Sequence, residues 1–208
     1  MPNWKIHIEI GLKLNEYLKY DKEELNTFLL GSILPDINNG WMVPDVSVKL
    51  KHDATHLGIF GTQSYINLYD NYKHEFDDKN PLFIGYMAHV YTDYIWNRDF
   101  YTTITKSNLD LSDKDELRKL KQSDFKLYTN KYINNIIDIN DIDGVLEEIQ
   151  KINEISVAKD DVLKAIEFLK RENVYKSEYK FYTEQRLDEL MDLTINGFVD
   201  ILKEYKVI

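Results

Sequence analysis

The sequence predicts an all-α protein folded as one domain, and three observations carry that prediction. Only 8 glycines and 4 prolines punctuate 208 residues, too few for the frequent turns of a β-protein. Apolar residues recur at three- and four-residue spacing along most of the chain, the period of a helix with one buried face. Cap signals stand just ahead of several of these periodic segments. The length suits a single core, and no internal repeat is present.

The elements follow in order. Pro2 opens a first helix ending near Tyr20, and its stripe His7, Ile10, Gly11, Leu14, Leu18 has the spacing of a buried face. Asp21 with Glu24 resembles a capping box for a second helix to Leu30. Residues 31–61 read as a long irregular stretch, and a loop near thirty residues is more often functional than not. A third helix is predicted over 62–76. Asn80-Pro81 then places a cap and a first-turn proline at the start of the helix that carries His89 and Asp93. Ser112 is read as the cap of a long helix to about Ile137, followed by a turn-prone Asn-rich junction over 134–141. A shorter helix is expected after Asp141, and others over 159–171 and 177–205. The groups Tyr65, Tyr69, Tyr72 and Tyr175, Tyr179, Tyr182 recur at helical spacing and are read as packing residues. The acidic runs around Asp110–Glu116 and Asp160-Asp161 are read as helix starts or solvated charge.

Composition excludes several function classes. The formal net charge of −10 argues against general nucleic-acid binding, which needs clustered Lys and Arg, and against docking on anionic membranes. A single phosphate-bearing substrate stays open, because a bound cation reverses the local field. With no cysteine, disulfides, thiolate zinc sites and Cys nucleophiles are excluded. No apolar run approaches the roughly 20 residues of a transmembrane segment. The residues from Met1 to His7 lack the basic start and apolar core of a secretory signal, so the expectation is a soluble cytoplasmic protein. Nothing in the sequence sets an oligomeric state.

The chemistry concentrates in the histidines. All five (His7, His52, His56, His74 and His89) lie in the first 89 residues. On a helix, His89 and Asp93 stand one turn apart on a face that reads Leu82, Gly85, Tyr86, His89, Asp93, Trp96. An ionised carboxylate on a buried stripe costs several kcal/mol unless a cation or hydrogen bonds compensate it. A divalent metal shared with His89 would do so; so would a private His89–Asp93 hydrogen bond in the core. His7 alone reads as a satisfied core residue, and His74, among Glu75, Asp77 and Asp78, as a surface group. His52 and His56 lie in the long loop, as does Asp36 just after Pro35. Imidazole and carboxylate make zinc sites without sulfur, and catalytic sites keep three protein ligands. His56, His89 and Asp93 would form one such set. His7 and Asp36 could hold or share a second ion, with Asp93 bridging.

His7 in the first helix, Gly31-Ser32-Ile33-Leu34-Pro35-Asp36-Ile37, Thr55-His56 and Gly85-Tyr86-Met87-Ala88-His89 with Asp93 resemble the zinc-dependent phospholipase C family, which is related to the S1/P1-type nucleases. The likeness covers residues 4–100. It implies a multi-helix bundle of phospholipase C/P1 nuclease type and hydrolysis of a phosphodiester or phospholipid. It also implies zinc held by His56, His89 and Asp93, a second ion on His7 and bridging Asp93, and Asp36 as general base or ligand. Members place a metal-binding tryptophan at the mature N-terminus, whereas Trp4 follows three residues here. They also use histidines beyond the His-x-x-x-Asp helix, and this chain has none, so one or two ions are expected.

Two other readings compete. His52-Asp53 matches the central dyad of HD phosphohydrolases, in which Asp53 would be a principal ligand, although that dyad normally lies on a helix and here reads as a polar loop. The chain could also be a non-catalytic member of the family, holding metal for stability or serving as a helical interaction module.

Overall fold

A 26-residue helix, α7 (Pro81–Lys106), forms the axis of the molecule, and every residue from Leu82 to Asp93 on it is buried. A helix buried all round belongs at the centre of a bundle. The structure is a computed structural model that describes residues 2–59, 61–106, 114–132, 137–171 and 174–208. It is helical, with no strand among the described residues. None of the described helices is long and apolar enough to cross a membrane.

Around α7 stand α1 (Trp4–Leu18), α2 (Lys22–Gly31), α5 (Ser64–Asn71), α6 (Lys73–Asp77) and α11 (Glu184–Glu204). Between α2 and α5 lie two short helices, α3 (Leu34–Ile37) and α4 (His52–Thr55). Helix α8 (Lys114–Tyr128) ends in a 3-10 turn, Thr129–Tyr132, that lies against α1. It is followed by α9 (Ile142–Ile149) and α10 (Lys159–Leu169), the latter packed on α3. Caps foreseen from sequence are present: Asp21 and Glu24 form the capping box, and Asn80 accepts from the Leu82 amide ahead of α7.

The α2–α7 crossing positions the site. A Cβ on Gly85 would run into the Phe28 carbonyl, and one on Gly31 into the Leu82 carbonyl. Only glycine at both places lets the two backbones touch. That contact brings the residue after α2, Ser32, against His89 one turn along α7.

Several sequence expectations are corrected. The stretch 31–61 is not one irregular loop but contains α3 and α4, and it is tied down by buried polar anchors. Asn38 bonds Val48 and both backbone groups of Ser156, and the Asp161 carboxylate accepts from Ser47 and from the Ala158 amide. Asp161 therefore opens α10 as expected but is fully buried, not solvated.

The helix expected over 62–76 is broken at Tyr72 (φ −126°). Its ring turns inward there, the hydroxyl donating to Glu154 at 2.6 Å and accepting from the Asn153 amide at 2.9 Å.

The helix expected from 177 begins only at Glu184, so Tyr175, Tyr179 and Tyr182 do not share a helical face. The buried Asp124 carboxylate accepts from the consecutive amides of Lys180, Phe181 and Tyr182 at 2.7–2.9 Å. Amides turned onto one carboxylate cannot join a helical ladder. Thr183 then caps α11 through the Arg186 amide.

The helix expected to Ile137 ends at Tyr128, while its proposed cap Ser112 and residues 134–136 of the Asn-rich junction lie outside the described residues.

Candidate metal centre

Four elements converge on one buried point. His7 comes from the middle of α1, Asp36 from α3, His52 and His56 from α4 and its C-terminal cap, and His89 and Asp93 from α7. All six are buried except His52, which is nearly so. Three overlapping sets have ligand atoms mutually within 4.8 Å: His7, His89, Asp93; Asp36, His56, His89; and His52, His56, Asp93.

The backbone sets the state of two imidazoles. His89 Nδ1 lies 2.7 Å from the Ser32 carbonyl, and His56 Nδ1 lies 3.0 Å from the His52 carbonyl. A carbonyl only accepts, so each Nδ1 carries the hydrogen and each Nε2 presents a lone pair. Those two Nε2 atoms face one another at 3.0 Å. This is the arrangement in which a second-shell carbonyl orients a metal-binding histidine. The His56 backbone (φ −108°, ψ 8°) is held at the end of α4 by an unusual neighbour, Leu57, at φ 53°. A leucine in the left-handed region costs of order 1–3 kcal/mol. The Asn67 amide on the Leu57 carbonyl helps retain it there.

Asp93 lies at the centre. Its Oδ1 is 3.5 Å from His7 Nε2, and its Oδ2 is 3.5, 3.8 and 3.9 Å from the Nε2 atoms of His56, His52 and His89. Neither oxygen has a hydrogen-bond partner of normal geometry among the described residues, and neither nitrogen of His7 has one. The His7 ring instead stacks on His89 with centroids 4.1 Å apart and planes within 9°. Buried polar atoms left in this condition are costly. A divalent cation among these nitrogen and oxygen donors would satisfy them, so the donor set fits zinc.

Asp36 differs. Its Oδ2 accepts from Trp4 Nε1 at 3.1 Å and its Oδ1 from Asn39 Nδ2 at 2.8 Å, leaving it 3.7 Å from His56 Nε2 and 3.9 Å from His89 Nε2. Burial pushes its carboxyl above the usual range, and the Asp93 charge adds to this against the pull of His56. Burial pushes Asp93 upward too, but His52, His56 and His7 overcome it and hold Asp93 well below the usual carboxylate range. Burial and the neighbouring His7 hold His89 well below an ordinary imidazole. A neutral His89 beside an ionised Asp93 is the protonation pattern that metal ligation requires.

The structure thus brings together the five residues singled out as ligands, His7, Asp36, His56, His89 and Asp93. His52, the other histidine of the 31–61 stretch, also faces Asp93, and its ring stacks on that of His56 with centroids 3.7 Å apart. His52-Asp53 lies on the short helix α4 and not in a polar loop. Asp53 nonetheless turns outward, its side chain 58% exposed and 3.4 Å from the far nitrogen of His52, and it belongs to none of the ligand sets among the described residues. His74 is a surface residue paired with Glu75. Trp4 and Asn39, which aim Asp36, were not anticipated. The three-residue spacing of Trp4 and His7 on one helix face was the available signal.

Two cavities border the cluster. One of about 10 Å³, the room of a single water, is lined by His52, His56, Asp93 and Asn97. The other is a cleft of about 590 Å³ with Asp36, Asn97, Trp4 and Trp41 in its wall. A cavity of this size takes a small molecule.

No protein-family model matches the chain, and neither a curated protein nor a solved structure matches it.

Proposed function

We propose that this chain is a zinc-dependent hydrolase of phosphodiester bonds, of the kind its motifs resemble, the zinc-dependent phospholipases C. One observation carries the reading. Four imidazoles and two carboxylates close on one buried point that opens, through Asp36, onto a cleft large enough for a substrate. A purely structural ion would need no such opening.

His56, His89 and Asp93 hold one ion in this reading, with Nε2–Nε2 and Nε2–Oδ2 separations of 3.0, 3.5 and 3.9 Å. His7, across the stacked ring of His89, would help Asp93 hold a second ion, and His52 would supply a further donor. Zinc contributes Lewis acidity, polarising phosphoryl oxygens and acidifying water. The remaining chemistry belongs to the chain. Asp36 faces both the cluster and the cleft and is steered by Trp4 and Asn39, so it is placed to take a proton from the attacking water. The Ser32 and His52 carbonyls keep His89 and His56 in the ligating tautomer throughout.

The test combines metal analysis of extensively dialysed protein with a panel of phosphodiesters that includes phospholipids. One or two zinc ions per chain and metal-dependent turnover are expected. Asp36→Asn should retain metal while losing roughly 10²–10⁴-fold in rate, the contribution of a general base. Metal-replete protein that cleaves nothing on the panel would assign the cluster a structural role instead, and protein that takes up no metal would remove both roles.

A further inference from the structure

The walls of the large cleft carry charge opposite to that of the chain as a whole. Lys121 of α8 lines it, only 4% exposed, with its ammonium 4.1 Å from the centre of the Phe100 ring. Among the described residues no carboxylate lies within ion-pair distance of it. A second cation, Arg118, stands one turn away on the same helix and also in the cleft wall, its side chain 55% exposed and bonded at 3.2 Å to Asp115. The cleft shares Asn97 with the small cavity that borders Asp93, so Lys121 and the cluster face adjoining spaces.

Burying an ammonium beside a guanidinium is unfavourable unless an anion joins them. At its other end the cleft shares Asn3, Trp4 and Met42 with a second cavity of about 270 Å³, whose walls add Lys5, Lys126 and Arg171. In a protein of net charge −10, five cationic side chains thus follow one continuous path leading away from the cluster. Trp41, 64% exposed, lines the cleft and stacks beside His52.

We infer that this path binds a small phosphoester carrying further anionic groups, with Lys121 and Arg118 holding the anion next to the cluster and Lys5, Lys126 and Arg171 serving those beyond. The assignment of the scissile bond to the cluster end rests on the hydrolase reading; the anion path itself does not. A positively charged head group meets repulsion along the same walls, so zwitterionic esters are poor ligands.

The probe is 2,3-bisphosphoglycerate, titrated calorimetrically into purified protein at low salt, with phosphocholine as the zwitterionic comparison. The bisphosphate should bind saturably and at least tenfold more tightly than phosphocholine, and added salt should weaken it. Lys121→Met keeps the buried stem but removes the charge, and should weaken bisphosphate binding roughly tenfold or more, the scale of a lost charged hydrogen bond. Arg118→Gln, at the exposed rim, should weaken it by a smaller factor and guards against a folding defect in the buried variant. Metal content should be unchanged in both. Equal affinity for the two probes, or unchanged binding in both variants, overturns the inference. Anion binding without metal or turnover would leave it standing while the hydrolase reading fell. Metal-dependent turnover without anion preference would do the reverse.

Discussion

His56 Nε2 and His89 Nε2 point at each other across 3.0 Å while each ring's other nitrogen donates to a backbone carbonyl, His52 and Ser32 respectively. Two lone pairs held that close repel unless a positive charge lies between or beside them. Asp93 Oδ2, within 3.9 Å of both, adds negative charge to the same point. Among the described residues no lysine or arginine lies within ion-pair distance of these donors, and, against the burial that lowers it, the carboxylates of Asp93 and Asp36 pull the His56 imidazole above its ordinary pKa.

Asp93→Asn should lose metal and remain folded. The amide keeps the shape and removes the charge shared by His7, His52, His56 and His89. Replacing outer-shell partners of metal ligands already costs 10–100-fold in affinity, so a central ligand should cost at least about as much. Isothermal titration with zinc measures it, with circular dichroism as the folding check. Unchanged zinc affinity would return the pair to an ordinary core contact.

His56→Ala and Asp53→Ala separate the phospholipase-like site from an HD-type dyad. The first should weaken zinc binding strongly. The second, at an exposed carboxylate, should leave metal affinity intact and stability within about 0.5 kcal/mol of wild type. A metal loss in Asp53→Ala equal to that in His56→Ala would favour the dyad.

Gly85→Ala tests the link between the helix crossing and the site. Alanine gains about 1 kcal/mol of helix propensity over glycine. Its methyl, however, meets the Phe28 carbonyl, a backbone atom that cannot swing aside. Overpacking typically costs about 1–3 kcal/mol, or a fall of very roughly 2–12 °C in melting temperature for a chain this size. Zinc affinity should fall with it, since forcing α2 from α7 displaces the Ser32 carbonyl from His89. A raised melting temperature would contradict the close approach.

Lys121 gives the fold a pH signature. Burial pulls its pKa down to about 8 from an ordinary value near 10.5. Between these values the unfolded chain holds a proton that the folded chain has released, so this group's contribution to stability rises with pH from about 8 to 10.5 and is flat below. Tyr72 and Tyr91, both raised to about 12, act in the opposite sense above pH 10. Comparing wild type with Lys121→Met in denaturant titrations between pH 7 and 10 therefore isolates the lysine. Wild type should gain on the variant as pH rises; parallel curves would place Lys121 in water.

Much of this protein was legible in the order of its residues. Helical periodicity, sparse glycine and proline, and the Asp21 and Asn80 caps are local properties, and a helix is a local structure whose hydrogen bonds join residues four apart. The four-residue step from His89 to Asp93 fixed their common face for the same reason. Folding decided what no local rule contains. Asp124 reaches 56–58 residues along the chain to hold 180–182 out of the helix that their spacing suggested. The glycine crossing of α2 and α7 aims the Ser32 carbonyl at an imidazole 57 residues away. His52 and Asp53 are neighbours in sequence, yet one enters the cluster and the other meets water, because a short helix turns successive side chains about 100° apart and only one of them can face α7. Which histidines and carboxylates share a point is a matter of distances between elements, and those are set by packing alone.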